Sequence, residues 1–193
     1  MKKISLVTWI LLTLSPAAFA DWTLVGEESR IDYVSIKANS TGEVNYFKTL
    51  EGSITDSGAV SLTIDLNSVE TGVSIRNERM QTEFFDTESF ADAKVRGAVD
   101  VSRAVELQKG ETYQEALKLT LSLHGVVADV DAQVQVTKLA NDQLLVTSLS
   151  PVIIDAQTFD LGEGVEKLQT LAGLPSISSV VPVTFNLVFK SHR

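Results

Sequence analysis

The stretch from Ser68 to Asp86 reads SVETGVSIRNERMQTEFFD and interrupts a chain that otherwise alternates between apolar and polar residues. Residues 60–67, just before it, alternate in this way, as a strand with one buried face does. Inside the stretch, Arg76, Met80 and Phe84 fall four residues apart, so they share one face of a helix. The sequence therefore predicts a strand that leads directly into a short helix.

Strand periodicity covers most of the remaining chain, and turn-forming Gly, Asn and Asp residues separate the runs. The apolar positions of the clearest runs recur at every second residue; these runs are 31–36, 117–124, 129–137 and 181–190. Their spacing predicts an all-β fold of about eight antiparallel strands, in a sandwich or a barrel. For Gln114 to Leu117 two interpretations remain, an extension of a hairpin or the start of a helix.

Two segments have helical periodicity, residues 73–85 and Gly164 to Ala172. In the second, Val165, Leu168 and Leu171 form the apolar stripe. We see no internal repeat and no linker long enough to separate domains, so we expect one domain with one or two short helices.

The N-terminus has the features of a secretory signal peptide. Lys2 and Lys3 precede an apolar run from Ile4 to Leu14, and Ala18-Phe19-Ala20 has the small residues of a cleavage site. The run is too short to span a bilayer comfortably. We predict a signal peptide over residues 1–20, a mature domain over 21–193, and a periplasmic, exported protein.

The composition disfavours several classes of function. Loss of the signal would remove two positive charges and change the formal net charge from −9 to −11, which disfavours nucleic acid as a partner. Cysteine is absent, and the two histidines are His124 and His192, too few for a histidine metal site without carboxylates. Gly162-Glu163-Gly164 lacks the context of a dinucleotide-binding loop. We expect no cofactor, no metal and no membrane insertion.

No set of residues in the sequence completes a catalytic site. There is no GxSxG motif and no second internal histidine to serve a serine nucleophile. Asp86 and Asp160 are the remaining candidates for a base, each with a glutamate nearby. Neither is a strong candidate, and an enzyme acting on a lipid-like substrate stays only as an alternative.

The order of short motifs along the chain resembles that of the YceI-like family. The Ser68–Asp86 block is similar to the family's S-V, T-G, R and closing F-F-D pattern. Leu123-His124-Gly125 resembles a step before a long strand, and Thr158 to Gly162 precedes Val181 to Phe185 much as a D-F-G-like turn does in the family. The chain departs from the family's R-D-x-H at Arg76-Asn77-Glu78-Arg79.

This resemblance implies a periplasmic, lipocalin-like antiparallel barrel whose apolar lumen holds a polyisoprenoid, an isoprenoid quinone or a fatty-acid derivative. It also suggests a homodimer. The residues that we expect to line the lumen and contact the ligand share an apolar or helix-face position; they are Phe47, Arg76, Met80, Phe84, Phe85, Leu119, Leu121, Leu123, Val183, Phe185 and Leu187.

Two questions stay open at the level of sequence. The large apolar side chains either fill the barrel completely, as in a ligand-free interaction module, or leave a tunnel. Arg76 either pairs with Glu78, Glu83 or Asp86 as a structural clamp, or meets a ligand head group together with Asn77 or Thr71.

Overall fold

The fold is an antiparallel barrel, seen in a computed structural model that describes residues 20–192, without the side chains of Ala20 and Asp21. Residues 1–19 of the predicted signal peptide lie outside the described residues. Over residues 20–192 the strands are β1 (Ala20–Leu24), β2 (Arg30–Lys37), β3 (Thr41–Phe47), β4 (Leu50–Thr55), β5 (Ala59–Asp65), β6 (Val69–Glu70), β7 (Asp92–Ala98), β8 (Thr112–Leu123), β9 (Val126–Lys138), β10 (Gln143–Ser148), β11 (Val152–Asp155) and β12 (Val180–Ser191).

The twelve strand segments form a closed barrel of only eight antiparallel strands, because four of the barrel strands are each divided into two segments. The divided strands are β1–β2, β3–β4, β5–β6 and β10–β11. The two segments of each pair run in the same direction and lie beside the same barrel strands. β12 closes the sheet: Leu24 is the register partner of Phe189 on one side, and Leu144 is the partner of the same residue on the other. The predicted fold class is confirmed.

Three α-helices and one π-helical segment connect strands in the described part of the chain, along with short 3-10 helices at Gly26–Glu28, Leu66–Ser68 and Ala156–Phe159. The α-helices and the π-helical segment are α1 (Ser74–Arg79), the π-helical segment (Met80–Phe85), α2 (Val101–Glu106) and α3 (Gly162–Ala172). α1 with the π-helical segment, together with α3, occupies the two helical segments predicted from the sequence. α2 is additional; Asp100 begins it by accepting a hydrogen bond from the Ser102 N–H.

Strand order places these helices at opposite ends of the barrel. β8 runs from the end covered by α2, near Tyr113, to the end covered by α1, near Leu123. Gln114 to Leu117 lie within β8, which settles the open question in favour of a longer hairpin. A two-residue turn with positive φ at His124 (50°) and Gly125 (79°) joins β8 to β9, as tight hairpins require.

The core follows the predicted alternation, with a few differences. In β9, Ala132, Val134 and Val136 are buried inside the barrel and Asp131 is exposed. In α3 the stripe is only partly buried: Val165 is buried, whereas Leu171 is 38 % exposed. Among residues 20–192, the helices are all too short or too polar to cross a bilayer.

Gly58 is required by the backbone around it. Its φ is 82°, and a Cβ added there would lie 1.9 Å from the carbonyl oxygen of Val99. The N–H of Val99 in turn donates a hydrogen bond to the carbonyl oxygen of Gly58. Gly72 has a similar φ of 74°, but nothing lies within 4 Å of its would-be Cβ. A substitution at Gly58 therefore combines backbone strain with steric overlap, whereas the same substitution at Gly72 introduces the backbone strain alone.

We predict that Gly58→Ala lowers the free energy of unfolding by about 3 kcal/mol, since left-handed strain and overpacking add. Gly72→Ala, which carries only the strain, should cost about 1 kcal/mol. Urea unfolding of both variants measures the difference. Equal losses would show that the contact with Val99 relaxes freely.

Candidate ligand-binding site

The barrel encloses an apolar cavity of about 300 Å³. It extends from the α1 end, at Tyr33 and Arg76, to the α2 end, at Tyr113 and Ala104. The inward-facing Leu, Val, Ile and Phe side chains of the barrel strands form its wall. Its size is at the lower end of the range of small-molecule sites, roughly 300–1,000 Å³. The lumen is therefore not packed solid.

All eleven residues that the sequence assigned to the lumen line this cavity. Leu119, Leu121 and Leu123 contribute from β8, and Val183, Phe185 and Leu187 from β12. The structure thus brings the predicted residues together around one space. Their role in contacting a ligand stays a prediction.

The π-helical segment places three of these side chains at the α1 end. Met80 and Phe85 are buried and Phe84 is half-buried. Hydrogen bonds in a π turn span five residues, which makes the turn wider than an α turn. Consecutive Phe84 and Phe85 both line the cavity, with their ring centroids 4.7 Å apart, and Phe85 lies 6.0 Å from Phe47. Asp86 ends the segment with φ 47°.

Gly164 allows α3 to pack closely on this segment. A Cβ at Gly164 would lie 3.0 Å from the Phe84 ring and 3.3 Å from the Glu83 carbonyl oxygen. Gly164 of the Gly162-Glu163-Gly164 sequence therefore serves helix packing. Val165 and Leu168, further along α3, line the cavity.

Arg76 pairs with a carboxylate that the sequence reading did not consider. Its Nη1 donates to Glu43 on β3, and its Nη2 donates to the Thr71 carbonyl at 2.6 Å. The predicted pairing of Arg76 with Glu78, Glu83 or Asp86 is wrong, because Arg76 extends from α1 to Glu43 on β3. Arg76 also lines the cavity, so it is both a clamp and part of the cavity wall.

Glu43 connects two cations. Lys37 Nζ donates to its other carboxylate oxygen at 2.7 Å. This hydrogen bond, and the nearby charge of Arg76, hold the pKa of Glu43 below its usual value of 4.5. The carboxylate is therefore ionised at neutral pH and fixes the guanidinium.

Asn77 holds the loop before α1 and does not line the cavity, contrary to one expectation. Its Oδ1 accepts hydrogen bonds from the Thr71 hydroxyl at 2.6 Å and from the Thr71 N–H at 2.8 Å, and its Nδ2 donates to Glu70. Hydrogen bonds from Lys48, from Asn77 and from the Gly72 N–H lower the pKa of Glu70 to about 2. Thr71, by contrast, lines the cavity as expected.

At the α1 end, three residues of the cavity wall each carry a buried polar atom that makes no hydrogen bond within the part of the chain that the structure describes: Tyr33 Oη, Asn45 Oδ1 and Arg76 Nε. Burial raises the pKa of Tyr33 well above its usual value, so its hydroxyl stays protonated. We call Tyr33, Asn45 and Arg76 the polar cluster.

The α2 end of the cavity is bordered by Asp100, Tyr113 and Glu115. The Arg103 guanidinium lies 4.2 Å from the centroid of the Tyr113 ring. Burial, and then the charge of Glu115, raise the pKa of Tyr113. This end thus carries acidic groups.

The candidate catalytic carboxylates lie outside the cavity wall. Asp86 and Asp160 are exposed and have φ of 47° and 55° at the ends of helical segments. His124 belongs to the β8–β9 turn instead of the strand face, and its ring packs 4.4 Å from that of Phe90. Over residues 20–192, no three His, Asp or Glu side chains are grouped so that they could hold a metal ion.

The sequence reading missed the polar members of the cavity on β2 and β3. Tyr33 lies in the strand-like run 31–36, but the periodicity alone gives no sign of a polar contact there, and it does not single out Asn45. The available signal was Asn45 itself, a polar residue between the inward positions Glu43 and Phe47 of one strand. Because alternate residues of β3 face the same side, the position of Asn45 between Glu43 and Phe47 places a polar side chain at this end of the lumen.

Comparison with known proteins identifies the family. The model of the YceI-like domain matches residues 22–189. The chain belongs to the YceI-like domain family. The predicted resemblance is confirmed. A search of curated proteins gives no significant match.

Two solved structures with this fold are informative. A polyisoprenoid-binding domain from Saccharophagus degradans is 36 % identical, with a TM-score of 0.87 over 90 % of this chain and 99 % of that one. BcnA from Burkholderia cenocepacia is 19 % identical, with a TM-score of 0.66 over 86 % of this chain and 98 % of its own, and it supports the fold alone.

We predict that Glu43→Gln lowers the free energy of unfolding by about 1 kcal/mol near neutral pH, because it removes the ionic partner of Arg76 and Lys37. A lowered carboxyl pKa stabilises the fold above the unfolded pKa, and this contribution is lost as pH falls through the folded pKa. The gap between wild type and variant should therefore shrink below the usual pKa of 4.5.

Urea unfolding at about pH 7 and about pH 3 measures this gap. Glu51→Gln is the matched control, since Glu51 is exposed on β4 and forms no ion pair within the described range 20–192. A gap for Glu43→Gln that is the same at both pH values would contradict the assignment.

Proposed function

We propose that this protein is a periplasmic carrier that holds one hydrophobic amphiphile, an isoprenoid or a fatty-acid derivative, in the lumen of its barrel. The observation that carries the proposal is the apolar cavity of about 300 Å³, with polar groups at its two ends. A chain lying along the lumen would contact leucine, valine and phenylalanine, and its polar end would reach one of the rims.

The energetics favour a hydrocarbon chain. Burying each methylene contributes roughly 0.8 kcal/mol, and the wall between the two ends offers almost only carbon atoms. A polar small molecule would lose its hydration there and gain few hydrogen bonds in return. An alkyl or prenyl chain is therefore the ligand class that the wall suits best.

Family membership supports the same proposal. The Saccharophagus degradans relative, at 36 % identity, is a polyisoprenoid-binding domain. Of the alternatives, a solid interaction module is disfavoured by the cavity. An enzyme using Asp86 or Asp160 is disfavoured because both side chains are exposed and neither lines the cavity.

The periplasmic location rests on the signal-like residues 1–20. Cell fractionation followed by intact-mass measurement tests it: a protein that begins at Asp21 in the periplasmic fraction supports export. A full-length protein in the cytoplasm would contradict it. The homodimer suggested by the family stays a prediction, for which light scattering is the direct measurement.

Organic extraction of the protein purified from its own compartment, followed by mass spectrometry, tests the carrier function. We expect a lipid-like molecule in near-stoichiometric amount. Beginning at Asp21, the chain contains a single tryptophan, Trp22, which lines the cavity. Adding a prenyl or acyl chain to extracted protein should therefore change its fluorescence. Protein that is repeatedly empty and gives no response would contradict the proposal.

We predict that Leu121→Trp reduces the recovered ligand severalfold with little loss of stability, because the indole enters the cavity that Leu121 lines. If the barrel were packed solid, the same change would cost about 1–3 kcal/mol by overpacking. Val127→Trp is the control, since Val127 is 66 % exposed on the adjacent strand β9. Mass spectrometry of the extract and urea unfolding are the two measurements.

A further inference from the structure

The polar cluster has a fixed set of unused hydrogen-bonding atoms. Tyr33 Oη is a donor because its hydroxyl is protonated, Arg76 Nε carries a hydrogen, and Asn45 Oδ1 is an acceptor. The orientation of the Asn45 amide follows from its Nδ2, which lies 3.2 Å from the Glu43 carbonyl oxygen and must donate to it. The cluster therefore offers two donors and one acceptor to the cavity.

These three residues are neighbours because of strand register and one ion pair. Tyr33 and Asn45 are direct partners on β2 and β3, so their side chains are neighbours on the inner face. Arg76 bonds to Glu43, which precedes Asn45 by two residues and shares its face of β3. Polar atoms that are buried without partners destabilise the fold, and a ligand that satisfies them would recover this free energy.

The guanidinium is not arranged to grip an anion. Glu43 accepts from Nη1 and the Thr71 carbonyl accepts from Nη2, so the guanidinium is already paired with a carboxylate, and an anionic head group would compete with Glu43 for its charge. Asn45 Oδ1 would face any anionic oxygen as a second acceptor. Lys37 adds one positive charge at the rim, but it does not line the cavity.

The other end of the cavity offers no isolated positive charge to an anion. Asp100 and Glu115 border it as carboxylates, and its cations, Arg103 and Lys138, lie over the rings of Tyr113 and Trp22. A ligand lying in either direction would therefore place a negative head group near a protein carboxylate. A neutral head group avoids this repulsion at both ends.

We propose, on the basis of the carrier function above, that the polar cluster selects a hydrophobic chain that ends in an uncharged hydroxyl. A hydroxyl has two lone pairs and one hydrogen. It accepts from Tyr33 Oη and Arg76 Nε and donates to Asn45 Oδ1, which uses every open atom of the cluster. A phosphate or carboxylate lacks the hydrogen for Asn45, and a methyl ether does too.

Calorimetric titration of the extracted protein with five ligands that share one chain tests this. The probes are farnesol, farnesyl methyl ether, farnesene, farnesyl phosphate and farnesoic acid, at neutral pH. We expect farnesol to bind about tenfold more tightly than each of the others, which is the effect of one or two satisfied hydrogen bonds.

Tyr33→Phe should weaken farnesol about tenfold and leave farnesene unchanged, because it removes only the hydroxyl. Tyr46→Phe is the matched control: Tyr46 neighbours Asn45 along β3 but points to the outer face, where Arg30 lies over its ring. It should change no affinity.

The outcomes separate the two proposals. Equal affinity for all five probes, or tightest binding of the phosphate or the acid, overturns the hydroxyl assignment and leaves the carrier function standing. If Tyr33→Phe leaves the affinity for farnesol unchanged, the assignment of the ligand hydroxyl to the polar cluster is likewise overturned. The hydroxyl of farnesol would then lie at the α2 end. Failure of every probe to bind, farnesene included, overturns both.

Discussion

The pairing of β12 with strands on both of its sides is the constraint on which the rest of the molecule depends. Its C-terminal half bonds to β1 and β10, and its N-terminal half to β2 and β11, so the sheet has no free edge along this strand. A closed sheet of eight strands leaves an interior just wide enough for side chains or one slender molecule. The cavity is a consequence of this closure, and the inward residues of every strand share it.

Closure alone would leave the α1 end open. The connection between β6 and β7 covers this end, because there the chain leaves the sheet and forms α1 and the π-helical segment before it returns to the sheet. α3 packs on that segment at Gly164, where no side chain separates the helices. Apolar side chains of the cover, among them Phe84 and Val165, extend the wall, while Arg76 brings charge to its rim.

The ion pair between Arg76 and Glu43 gives this end its chemistry. Nη1 joins α1 to β3 through Glu43, Nη2 holds the loop before α1 through the Thr71 carbonyl, and Nε is buried without a partner, as are polar atoms of Tyr33 and Asn45. A structural contact thus determines which part of the arginine is available to a ligand. The same residues stabilise the fold and define a hydrogen-bonding pattern.

The sequence by itself determined the fold class, the apolar wall and the helical cover. Alternation fixes which residues face inward, because successive side chains on a strand point to opposite sides, and the four-residue spacing of Arg76, Met80 and Phe84 does the same for the helix. Only the tertiary structure decided the partner of Arg76, the position of His124 in a turn and the grouping of Tyr33 with Asn45. These depend on strand register and on how α1 crosses the barrel, which join residues as far apart as Glu43 and Arg76, and local periodicity contains no information about such distant contacts.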